Sequence, residues 1–117
     1  MVDNDMPADA DAVSRGVTLF VARMTGDPKL AWAFEGFDQA SLQRHAFAFV
    51  VAALGGPDLY LGRGMREVHA PLKLRNEHFD IAVDHLLESL REVGISDGVT
   101  SDLATRLEPL RSQIVSA

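Results

Sequence analysis

Four histidines, His45, His69, His78 and His85, are the side chains best suited to ligate a metal or move a proton near neutral pH. The chain has no cysteine, which removes thiolate catalysis, zinc knuckles, cysteine-held clusters and disulfides together. The carboxylates make no acid–base pair: Asp3, Asp5, Asp9 and Asp11 crowd the first residues, and most of the others fall at caps or on solvated helix faces. No Ser-His-Asp order, phosphate loop or metal-helix motif is present. His69 ends a short segment just before Pro71, and His45 shares a helical face with Leu42 and Phe49. Taken alone, a histidine in either place is by default an ordinary member of an amphipathic helix. His85, mid-helix beside Asp84 and Leu86, reads as partly exposed and without a function.

The elements that would position these residues are all helical. Val13, Val17, Phe20, Val21 and Met24 recur at helical spacing and predict a helix over Ala12–Met24, ended by Gly26-Asp27-Pro28. A short helical turn fits Lys29–Phe34, with Trp32 packed in the core by default, and Asp38 is suited to cap the next helix. That helix, Gln39–Leu54, is apolar nearly all round and should be sandwiched between layers; Gly55-Gly56-Pro57 stops it. A short helix over Met65–Ala70 carries His69 and should stop before Pro71. Asn76 can cap a long helix, Glu77–Val93, whose buried stripe is Phe79, Val83, Leu86, Leu87 and Leu90, with Gly94 closing it. Ser96 can cap a final helix, Asp97–Ile114, with Val99, Leu103, Leu107, Leu110 and Ile114 facing the core and Pro109 kinking or splitting it near Glu108. With no strand pattern and no internal repeat, the fold class is all-α.

Composition narrows the class further. The 117 residues suit one domain: 1–10 read as a disordered acidic tail and 11–117 as the folded part. Hydrophobic residues at 47% against 24% charged describe a globular chain rather than a disordered one. A net charge of −6 with scattered Lys and Arg argues against nucleic acid or an anionic membrane as main partner. The acidic start MVDNDMPADA is unlike a secretory signal, and Ala46–Leu54, the longest apolar stretch, is too short to span a bilayer. A cytoplasmic monomer is the expectation, since the lack of cysteine fits a reducing compartment.

Phe20, Arg23, Asp27-Pro28, Leu30, Phe34, Leu54-Gly55-Gly56-Pro57, Tyr60, Gly62, Met65, His69 and His78-Phe79-Asp80 follow in order and at the expected spacing. From about residue 17 to the end this resembles group I truncated haemoglobins. The resemblance implies a two-over-two helical sandwich holding haem b (iron protoporphyrin IX) non-covalently, with oxygen binding and transport among the family's activities. It implies that His69 is the proximal iron ligand, on a mount whose nearby carbonyls can fix the imidazole tautomer. It places His45 on the distal side, where some members use a histidine as a second axial ligand, so the iron can be six-coordinate through His69 and His45. Phe34, Phe79 and Val83 would line the ring, Met65 and Leu72 its proximal side, and Tyr60, Arg63, Arg66 and His78 are candidates for the propionates.

The chain departs from the pattern in three places. No Gly-Gly turn precedes the first long helix, Val21 stands where the family has tyrosine, and Ala46 where it has a distal glutamine. Val21, Phe34, Leu42, Ala46 and Phe49 would then form an apolar distal pocket. A hydrogen bond to a gas ligand gaining negative charge contributes on the order of 1.5–3 kcal/mol, or about one to two decades in affinity. Oxygen should therefore leave faster than from members with both donors, while carbon monoxide and nitric oxide still bind. The sequence thus frames a haem protein for diatomic gases (O2, CO, NO) against a bis-histidine protein for electron transfer or for redox and gas sensing. A haem-free helical interaction module is a third reading, opposed by the retained His69 motif. Nitric oxide dioxygenase turnover would need an unidentified reductase; neither that nor peroxidase-like activity is specified.

Overall fold

The computed structural model describes residues 10–55 and 69–116. Helix α1 (Ala10–Gly26) buries Val13, Val17, Phe20 and Val21 along one stripe, as their spacing requires. It begins earlier than expected: Ala10, assigned to the tail, is already helical, and residues 1–9 lie outside the described part. After Pro28 the chain makes a 3-10 turn, Ala31–Phe34. Asp38 caps α2 (Gln39–Ala53), its carboxylate accepting the Ser41 N–H at 3.0 Å. Gly55 follows at φ 108°, a left-handed conformation that costs glycine little.

His69 is helical, and Ala70–Leu72 form a 3-10 turn. The α-helix stops before Pro71, as expected, and the chain goes on as this turn, which takes proline at its start because the N–H it lacks has no helical partner there. Helix α3 (Asn76–Glu92) follows. Asn76 does not cap it. The cap lies one residue earlier, where the Arg75 N–H donates to His78 Nδ1 at 2.9 Å, so histidine does the work of the glutamate in a capping box. Asn76 instead accepts from Arg111 at 3.0 Å. At the other end Gly94 (φ 96°) donates to the Arg91 carbonyl and Ile95 to that of Leu90, both at 3.0 Å, which is a Schellman ending.

Ser96 caps α4 (Asp97–Leu107) by accepting the Val99 N–H at 3.3 Å. Pro109 splits the remainder, as expected: a 3-10 turn, Glu108–Leu110, then α5 (Arg111–Ile114). Helix α1 packs on both α2 and α3, and α4 meets both of those in turn. The pair α1–α2 thus lies over α3–α4, the two-over-two sandwich. Val13, Val17, Val21, Val50, Leu90 and Leu103 sit fully buried at its centre. Among the described residues no buried side-chain polar atom lacks a partner, and no helix is long and apolar enough to cross a membrane.

Candidate functional site

The two sides of α2 are covered to different degrees. Val50, Ala53 and Leu54 are sealed in the core, whereas Leu42, Ala46 and Phe49 pack at its edge and stay half-buried. The expectation of a helix sandwiched on both sides therefore holds, among the described residues, only on the side that carries Val50, Ala53 and Leu54. Val83 of α3, Phe34 and Leu72 are half-buried as well. Val21 is different: it lies 1% exposed within the core cluster. His45 is exposed on α2, and His69 is half-buried. Tyr60, Met65 and Arg66, with Arg63, fall outside the described residues.

The start of α3 holds the remaining candidates. The His78 ring sets its Nδ1 on the helix cap and meets Trp32 edge-on, centroids 5.6 Å apart at 73°. Trp32 is corrected by this arrangement. It is 41% exposed rather than in the core, and its Nε1 donates to the Lys29 carbonyl at 2.9 Å. Phe79 is buried, with the Arg111 guanidinium 4.5 Å above its ring. Arg111 also donates to Asp80 and Glu108, each at 2.6 Å. The Glu108 bond first, then that to Asp80, raises the arginine above its ordinary value, and Arg111 in turn lowers Glu108.

His85 is partly exposed, as expected, and takes part in a tie between elements. Its Nε2 lies 2.8 Å from the Asp27 carboxylate, joining mid-α3 to the turn after α1. The His85 hydrogen bond, then the Lys29 N–H, holds the Asp27 carboxyl below its usual value. A second tie runs from Arg23 to the buried Ser89 hydroxyl at 3.0 Å and on to Glu92. Sequence reasoning missed both. Arg23, Asp27 and His85 were all noted, but nothing in their spacing pairs them.

Chemically, these residues offer half-buried apolar side chains on α2 and on α3 and a half-buried imidazole at His69. Among the described residues no three His, Asp or Glu gather into a metal cage. Such a donor set fits a metal already held in a flat apolar macrocycle, which needs apolar contacts and one imidazole rather than a full set of protein ligands.

Comparison with known proteins agrees. A sequence profile of the bacterial-like globin family matches residues 9–116. The group 1 truncated haemoglobin of Synechocystis sp. is 36% identical over 97 residues, covering 80% of this chain and 78% of that one. That of Tetrahymena pyriformis is 30% identical over 105 residues, covering 90% and 87%. The crystal structure of the Tetrahymena pyriformis protein in its Fe(III) form superposes with a TM-score of 0.82 at 29% identity, covering 92% of each chain.

Proposed function

The chain belongs to the bacterial-like globins as a group 1 truncated haemoglobin, and from that premise we propose that it binds diatomic gases at a haem b held through His69. Haem supplies an iron centre at which such a gas binds when the cofactor is in place. The observation that carries the reading is the half-buried His69, helical and held directly before the Ala70–Leu72 turn. Leu42, Ala46 and Phe49 give the porphyrin an apolar face, and Val83, Leu72 and Phe34 extend it. His78 spends Nδ1 on the helix cap, which leaves Nε2 as the atom able to meet a propionate. Val21 and Ala46 bring no hydrogen-bond donor to the distal side, so oxygen should dissociate readily and prolonged oxygen storage is disfavoured.

A second axial ligand from His45 is supported by its place on α2, one turn from both Leu42 and Phe49. In that state a gas must displace His45, and apparent affinity falls by the fraction of open protein. The bis-histidine form suits electron transfer or gas and redox sensing. An absorption spectrum of the ferrous protein tests both points. His69→Gly should abolish imidazole coordination from the proximal side; unchanged bands would overturn the assignment. Sharp low-spin bands that vanish in His45→Ala would establish six-coordination, and a broad five-coordinate spectrum in the unmodified protein would rule it out.

A further inference from the structure

The peptide that follows His69 is held from a distant part of the chain. Ala70–Leu72 form a single 3-10 turn closed by Lys73, whose N–H donates to the Ala70 carbonyl at 3.2 Å. Lys73 sits at φ 55°, a left-handed conformation that a residue with a Cβ adopts only when its surroundings hold it there. A short turn ending in such a residue has little stability of its own. Two bonds from Ser116 supply the holding. The Ser116 hydroxyl donates to the Ala70 carbonyl at 3.2 Å, and the Ser116 N–H donates to the Leu74 carbonyl at 3.0 Å. One residue thus grips the segment at both ends of the turn.

Ser116 is exposed, and its place is set by the elements before it. Val115 before it is extended (φ −80°, ψ 127°), which carries the chain off the end of α5. Arg111 fixes α5 to α3 through Asn76, Asp80 and the Phe79 ring. The path from the sandwich to Ala70 therefore runs through Arg111, along the chain to Ser116 and across the Ser116 hydrogen bonds. The Ala70 carbonyl lies in the second peptide unit after the His69 α-carbon, so a displacement of Ala70 shifts the backbone on which the imidazole is carried.

We infer that Ser116 is a positioning residue for His69, fixing the orientation in which the imidazole meets the iron. The inference rests on His69 being the proximal ligand. It concerns the direction and uniformity of the bond rather than its existence.

The test uses the haem-loaded protein and reads the iron–histidine stretching band by resonance Raman. The band is recorded in the five-coordinate ferrous species left when carbon monoxide is photolysed off. Ser116→Ala, which removes only the hydroxyl, should broaden the band and move it to lower frequency. Ser116→Thr, which keeps the hydroxyl, should restore the original band. In the haem-free Ser116→Ala protein the Lys73 amide should exchange faster with solvent while amides in the middle of α1 keep their rates. An unshifted band, or unchanged exchange at Lys73, overturns the proposal even if the melting temperature falls, because a merely structural tie would change stability alone. The His69→Gly spectrum separates the two ideas. Coordination that survives it removes the ligand assignment and this proposal together. Coordination lost in His69→Gly but a band unmoved in Ser116→Ala removes only the role of Ser116.

Discussion

The seam between α1 and α3 and the half-covered face of α2 are built on opposite terms. At the seam, Gly16 lets the backbones approach so closely that a Cβ there would sit 2.7 Å from Leu90 Cδ2 and 3.2 Å from Val93 Cγ2. Leu90 is fully buried, the Arg23–Ser89 bond stitches the same two helices, and the Asp27–His85 bond ties α3 to the turn just after α1. On α2, Leu42, Ala46 and Phe49 touch the core but keep part of their surface outside it. A surface already packed to contact has nothing left to offer a ligand, while a half-covered apolar one gains free energy when a flat ring system lies on it. On the proposed reading, stability and ligand capacity thus belong to different stretches of these helices and should respond to different mutations.

The largest effect belongs to the seam. Leu90→Ala should cost about 2–5 kcal/mol in urea unfolding of the haem-free protein. Phe49→Ala should cost clearly less in the same measurement, yet speed transfer of haem to a competing apoglobin. Equal losses in the haem-free state would break the contrast between the two regions. Next is Ala46→Gln, which adds a donor on the α2 face. It should slow oxygen dissociation by about one to two decades, measured by stopped flow, on a hydrogen bond of about 1.5–3 kcal/mol, while leaving the unfolding midpoint nearly unchanged.

Gly16→Val tests the close approach. Overpacking of this kind typically costs about 1–3 kcal/mol, and the reduced protein stability should appear without a change in the haem spectrum. The smallest effect is that of the Asp27–His85 tie. Asp27 has its carboxyl lowered from the ordinary 3.8, so its contribution is present above that value and is lost as pH falls through the lowered one. Asp27→Asn should therefore melt slightly below the parent near neutral pH, and the gap should close in acid. A gap that widens in acid would contradict the assignment.

Much of the frame was legible in the sequence because its punctuation acts locally. Asp38, Ser96, Gly94 and Pro109 do what their types and positions foretell, each through bonds to residues a few positions away. Asn76 misled because a histidine three residues beyond Arg75 can accept the same N–H that a glutamate would. Trp32 misled because size argues for burial, while its place in a tight turn leaves the ring at the surface against His78. The motif around His69 marked the candidate ligand. The ties that hold the site's supports, such as His85 to Asp27 across 58 residues, depend on how α1 crosses α3, and no local signal carries that.

The Gly16–Leu90 approach also bears on how the chain is made. The partner of α1 lies far downstream, so during synthesis the first helix leaves the ribosome long before α3 exists to receive it. Until then, among the described elements, α2 and the Ala31–Phe34 turn are what can shield its valines, and a pause in translation before Leu90 would prolong their exposure.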